Sequence, residues 1–146
     1  MPLGQAESYT YDANGNVLTR TDFNNKTTTY AYRNVNQLLS KTPDASFHAP
    51  AVTYTYVRTQ RTQMTDATGT TFYSYDSNGH ATQITRPGFG TSFYTYDGAG
   101  NLTRLQLASS PIITVNYTPD ALNRIKTVQV TCPLAPRTGS YDTEIS

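Results

Sequence analysis

Tyr94-Thr95-Tyr96-Asp97-Gly98-Ala99-Gly100-Asn101-Leu102 decides the fold, because the chain contains that phrase several times over. Tyr9-Thr10-Tyr11-Asp12-Ala13-Asn14-Gly15-Asn16-Val17 and Tyr73-Ser74-Tyr75-Asp76-Ser77-Asn78-Gly79-His80-Ala81 follow it closely. Tyr30-Ala31-Tyr32-Arg33-Asn34-Val35-Asn36-Gln37-Leu38 and Tyr117-Thr118-Pro119-Asp120-Ala121-Leu122-Asn123-Arg124-Ile125 are decayed but in register, and Tyr54-Thr55-Tyr56-Val57 keeps the tyrosines while losing the turn. Ten of the 12 tyrosines fall in five Tyr-x-Tyr pairs whose first members lie 21, 24, 19 and 21 residues apart. A period within roughly 20–50 residues marks one supersecondary unit copied along the chain, a unit that cannot cover its apolar face without neighbours.

Alternating Tyr and Thr ahead of each turn reads as a strand with both tyrosines on one face, and an apolar residue (Val17, Leu38, Ala81, Leu102, Ile125) opens the return strand. Four residues after the second tyrosine position stand Gly15, Gly79 and Gly100, replaced elsewhere by Asn36 and Asn123. Asn is the next-best residue at positive φ, so this position requires a left-handed backbone. The heads of the same turns, Asp12, Asp76 and Asp97, are suited to hold local N–H groups while the Gly or Asn closes the reversal. Gln60 departs from the pattern, which predicts a looser connection in the third unit. A second reversal falls midway in several units, at Asp22-Phe23-Asn24-Asn25, Asp66-Ala67-Thr68-Gly69 and Pro87-Gly88-Phe89-Gly90. Pro43 to Pro50 and Ala108 to Pro111 read as insertions at hairpin ends.

The prediction is an all-β protein, an elongated or spiralling strip of antiparallel β-hairpins built from about six units over residues 8–131. A short lead precedes it at 1–7, and residues 132–146 show no tyrosine pair, turn or apolar alternation and are expected to be a disordered tail.

The Tyr-x-Tyr-Asp-x-x-Gly-Asn phrase, followed by Leu102-Thr103-Arg104 or its relatives Leu18-Thr19-Arg20 and Leu39-Ser40-Lys41, resembles the Rhs or YD-repeat family. That family includes bacterial polymorphic toxins, cell-wall-associated proteins, shell components of insecticidal toxin complexes and animal teneurins. The resemblance implies hairpins that spiral into a hollow shell, secretion or display at the cell surface, and a structural part in enclosing or delivering a toxin. It implies no catalysis and no cofactor. Residues 120–146 lack the Pro- and Asp-rich segment ending in Asp-Pro-x-Gly-Leu with which family toxins close their shells, and six units are fewer than a closed shell uses. The expectation is therefore a piece of a larger Rhs-type chain, which would be its main partner.

Composition sets further bounds. A net charge of +1 with 14% charged residues leaves no electrostatic footprint for nucleic acid. No run approaches the roughly 18 apolar residues of a membrane span, and Met1 to Glu7 has neither a basic nor an apolar signal-peptide region. The lone Cys132 reads as a free thiol.

The chemical motifs have plain structural explanations. His48 and His80 are 32 residues apart without metal-ligand spacing, and no Gly-x-Ser-x-Gly elbow or phosphate loop is present. Asp12-Ala13-Asn14-Gly15-Asn16 has the oxygens of a calcium loop but its Gly is fourth and a bidentate Glu is missing, so turn chemistry explains it better. Tyr11, Tyr32, Tyr56, Tyr75 and Tyr96 at equal register would form an aromatic ladder, read first as structural and second as a sugar-stacking platform. A carbohydrate- or cell-surface-binding module is thus the alternative function, with glycans as partners. Unpaired strand edges at both ends allow edge-to-edge self-association, so a self-assembling β-structure is a third reading.

Overall fold

The computed structural model describes residues 6–133, so the first five residues of the lead and residues 134–146 of the tail lie outside it. Twelve strands follow one another: β1 (Ser8–Tyr11), β2 (Val17–Thr21), β3 (Thr27–Arg33), β4 (Gln37–Thr42), β5 (Val52–Val57), β6 (Gln60–Asp66), β7 (Gly69–Tyr75), β8 (Ala81–Arg86), β9 (Gly90–Tyr96), β10 (Leu102–Ala108), β11 (Ile113–Pro119) and β12 (Ile125–Thr131). They form one sheet in sequence order, each antiparallel to the next. The architecture is the all-β hairpin strip that the tyrosine period predicts. The 43–50 insertion carries a 3-10 turn at Ala45–Phe47, held to the start of β3 by the Thr27 N–H donating to Asp44 Oδ2 at 3.1 Å.

Each repeat is one hairpin, and every hairpin has a register shift just before the second tyrosine position: Tyr11 opposes Val17, Tyr32 Leu38, Tyr56 Arg61, Tyr75 Ala81, Tyr96 Leu102 and Pro119 Ile125. Such bulges bend the strand and increase its local twist. The extra residue is used: the hydroxyls of Thr62 and Thr103 donate to the carbonyls of Thr55 and Thr95, at 3.3 and 3.1 Å. Junctions between hairpins show no shift and involve only the strand halves remote from the tyrosine turns, as in β4–β5, where Ser40 opposes Thr53 and Lys41 opposes Val52. Hydroxyl pairs Thr21–Thr27, Thr65–Thr70 and Thr85–Thr91, each at 2.9 Å, reinforce that remote end.

The sheet is a single layer. Among the described residues no apolar side chain is fully buried, and the buried side chains are Thr71 and Ser92. The tyrosine face is half-covered by side chains such as Met64, Ile84 and Leu105 opposite Tyr54, Tyr73 and Tyr94. The other face leaves Thr55, Phe72, Ser74, Phe93 and Thr95 exposed.

Candidate functional site: the turn edge and the tyrosine face

Topology gathers the tyrosine turns along one edge of the strip. Gly15, Gly79 and Gly100 have φ of +83°, +91° and +85°, and Asn36 and Asn123 both have φ of +58°. In the turns headed by Asp12, Asp76, Asp97 and Asp120, one carboxylate oxygen accepts the N–H groups two and four residues on, at 2.8–3.0 Å. The other oxygen takes the side chain of that fourth residue: Asn16 at 2.8 Å, His80 at 3.0 Å, Asn101 at 2.9 Å and Arg124 at 2.8 Å. The oxygens that would suit calcium at Asp12 are thus occupied by the turn's own donors. Among the described residues no three His, Cys, Asp or Glu side chains gather as metal ligands.

Sequence reasoning missed the role of the residue after the glycine. The Asn16 amide also donates to Asn36 Oδ1 at 2.9 Å, and that of Asn101 donates to Asn123 Oδ1 at 3.0 Å. Both positions where Asn stands for Gly therefore receive a bond from the preceding turn, so Asn supplies an acceptor as well as a tolerated φ. The signal was the recurrence of Asn after Gly. Asp22, at the opposite edge, repeats the same chemistry, accepting the N–H groups of Asn24 and Lys26 at 2.8 and 2.9 Å, with Asn25 at φ +59°.

The third unit corrects an expectation. Gln60 does not loosen its connection: Val57 opposes Gln60 across a two-residue reversal, with Arg58 at φ +55°. Losing one residue removes the need for the glycine position, because a two-residue loop closes through its own positive φ. The shortening also places Arg61 where other units carry an apolar residue. Its guanidinium lies over the rings of Tyr54 and Tyr73, 5.6 and 4.8 Å from their centroids.

The tyrosine rings do not stack from unit to unit. A complete strand intervenes between consecutive tyrosine strands, a separation of about 9.5 Å, beyond ring contact. The aromatic contacts among the described residues are Tyr9–Tyr11 at 6.4 Å and His80–Tyr96 at 4.8 Å. The hydroxyls make the link instead: Tyr56 donates to the Leu38 carbonyl at 2.9 Å, Tyr75 to that of Arg61 at 2.8 Å and Tyr96 to that of Ala81 at 3.0 Å. Each acceptor belongs to the preceding hairpin, at the end where backbone pairing between hairpins has stopped. In the third, fourth and fifth units the second tyrosine is therefore a staple across the splayed edge, a bond that the Tyr32 hydroxyl of the second unit does not make among the described residues. Tyr32, Tyr56, Tyr75 and Tyr96 are half-buried, whereas Tyr11, with no preceding hairpin, is 58% exposed. Burial, with Tyr94 and Asp76 nearby, raises the Tyr96 phenol above its ordinary pKa. In the sixth unit Pro119 takes the staple position, and a cavity of about 420 Å³ opens there between Asn101, Leu102, Tyr117, Pro119, Asn123 and Ile125.

Turn hydrogen bonds make the fold acid-sensitive. Asp12, Asp97 and Asp120 are held below their ordinary pKa first by the side chains of Asn16, Asn101 and Arg124 and then by backbone N–H groups. At Asp76, partial burial pushes upward but is outweighed by the N–H and ring of His80. Asp44 is lowered to about 2, chiefly by the Ser46 hydroxyl. A depressed folded-state pKa contributes stability fully above the unfolded value of about 3.9 and loses it as pH falls through the folded value. The thermal midpoint is expected to hold steady from pH 7 to about 5 and to drop steeply between about 4 and 2. A midpoint flat to pH 2 would mean that these carboxylates do not hold the turns.

The comparisons with known proteins agree with this geometry. Residues 75–110, from the Tyr75 staple to just beyond β10, match the family model described as the RHS repeat. No curated protein matches the sequence. The crystal structure of TcdB2-TccC3-TEV overlays on 87% of this chain at a TM-score of 0.60 and 16% sequence identity. The crystal structure of TcdB2-TccC3-Cdc42 covers the same 87% at a TM-score of 0.50 and 16% identity. At such identities the likeness is one of fold, and this chain spans only 9% of the length of either.

Proposed function

We propose that the chain is an architectural segment, part of the β-shell or surface stalk of a larger, secreted Rhs-type bacterial protein that encloses or delivers a toxin. One observation carries this reading: a single-layer sheet of twelve strands, open at both edges and without a fully buried apolar side chain among the described residues, which overlays on a small part of a much longer chain. A sheet built this way gains cover and edge partners from neighbouring repeats. The array occupies residues 8–131 in this reading, and Asp12, Gly15, Asn36, Asp76, Gly79, Asp97, Gly100 and Asn123 are its turn-defining residues. Catalysis has no part in it. His48 lies at the strip edge opposite His80, whose ring is engaged by Asp76 and Tyr96.

Sequencing the genomic DNA on both sides of the coding segment tests the proposal. An uninterrupted frame carrying many more Tyr-x-Tyr-Asp units is the expected result. A complete short gene with its own export signal would overturn it in favour of a stand-alone glycan binder.

A further inference from the structure

Among the six repeats, Pro119 alone stands at the second tyrosine position without being a tyrosine, and the sheet around it keeps the features that receive one. Leu102 opposes Tyr96 as Leu38 opposes Tyr32, Arg61 Tyr56 and Ala81 Tyr75. Its carbonyl is therefore the counterpart of the three that accept a tyrosine hydroxyl from the following hairpin, yet no side chain among the described residues donates to it. Asn101 follows its turn glycine as His80 does one unit earlier, where the imidazole stacks on the Tyr96 ring at 4.8 Å. Between these two residues and Tyr117, Pro119 and Ile125 lies the cavity of about 420 Å³, which follows the outline of an absent tyrosine side chain. Proline cannot fill that outline, because its ring closes on its own backbone nitrogen and carries no donor. Both walls belong to the fifth and sixth hairpins, so the cavity does not arise from an open strand edge. A further hairpin beside β12 would, by the same register, reach the Ile125 carbonyl and leave that of Leu102 untouched.

We propose that this cavity binds a tyrosine side chain of another polypeptide, its ring against Asn101 and its hydroxyl donating to the Leu102 carbonyl. Tyr56, Tyr75 and Tyr96 identify the occupant: at three equivalent places the same backbone frame holds a phenol ring with its hydroxyl on the corresponding carbonyl. A volume of about 420 Å³ falls near the lower end of the roughly 300–1,000 Å³ usual for ligand sites, enough for one ring and its attachment. No charged side chain lines it, so carboxylates and phosphates find no partner there, and recognition rests on apolar contact with the ring and on one hydrogen bond. That bond separates tyrosine from phenylalanine, which covers the same carbonyl without pairing it. A single ring makes a weak site, with a dissociation constant on the order of 1 mM. The inference goes beyond the architectural reading and does not depend on it, since the fifth and sixth hairpins suffice to build the site.

Amide NMR shifts of the full chain, titrated with the blocked peptide Gly-Tyr-Gly, with its Gly-Phe-Gly counterpart and with p-cresol, test the proposal. The tyrosine peptide is expected to move the signals of Asn101, Leu102, Tyr117, Asn123 and Ile125 and to leave the equivalent residues around Tyr75 and Tyr96 unmoved. The phenylalanine peptide should bind about five-fold more weakly, the loss of one hydrogen bond, and p-cresol should compete at the same residues. Pro119→Tyr fills the cavity from within, so it should raise the melting midpoint and abolish peptide binding. The comparison of the two peptides on the unaltered chain decides the matter even where that variant fails to fold. Equal binding of the two peptides or shifts centred elsewhere would overturn the proposal. So would binding of p-cresol without the tyrosine peptide, which marks a site for small phenols, or displacement of the peptide by an oligosaccharide, which returns the cavity to the carbohydrate reading. Peptide binding that emerges only in a Tyr141→Ala chain would assign the cavity to the protein's own Tyr141 and overturn the choice of partner.

Discussion

Gly100→Val is expected to destabilise the protein most among the turn variants, followed by Gly79→Val and Gly15→Val at about 1–3 kcal/mol each, with Gly15→Asn and Gly79→Asn near neutral. All three glycines lie at positive φ, where a β-branched side chain is strained whatever space surrounds it. Space then sets the order. A Cβ on Gly15 meets nothing within 4 Å, and one on Gly79 comes only within 3.5 Å of Gln60 Nε2, an ordinary contact. On Gly100 it approaches His80 Nε2 to 3.1 Å, so the ring must shift from its stack on Tyr96 and its bond to Asp76. Gly100→Ala should accordingly cost less in a His80→Ala background than alone, a non-additivity that Gly79→Ala lacks. Denaturant titration of the set measures this; equal costs at all three positions would remove the turn-to-turn coupling.

Tyr96→Ala is expected to lower stability by about 2 kcal/mol, roughly half the loss for a fully buried ring, because Tyr96 is half-buried. Tyr96→Phe isolates the staple and should cost about 1 kcal/mol, the net value of one hydrogen bond to the Ala81 carbonyl. Tyr11→Phe, with an exposed ring and no hydrogen bond from its hydroxyl among the described residues, should cost nothing in the monomer. The carbohydrate reading predicts the reverse: unchanged melting with lost oligosaccharide binding. Melting curves and a glycan-binding assay on the same variants separate the two.

The turns were legible because their chemistry is local. Gly and Asn alternating at one position report a backbone angle, and Asp at the head of a turn acts within four residues of itself. The staples were not legible. They depend on which strand lies beside which, and on the halting of backbone pairing between hairpins short of the tyrosine turns, neither of which appears in a list of spacings. An equal register suggested rings stacked on rings, whereas the intervening strand turns the same register into hydroxyl-to-carbonyl links. The third unit was misread because a constant loop length was assumed; with one residue fewer, Arg58 supplies the positive φ and Arg61 enters an apolar position between Tyr54 and Tyr73.

A sheet stabilised by neighbours gains from every neighbour added, so thermal unfolding of the chain with repeats appended in register after Thr131 tests the account most directly. The isolated chain is expected to be marginally stable, with a midpoint that rises by several degrees with each appended Tyr-x-Tyr-Asp hairpin. A chain that already melts cooperatively as a strict monomer at high concentration, with a midpoint indifferent to appended units, would show that the six hairpins are complete in themselves and contradict the reading of this sheet as one stretch of a longer wall.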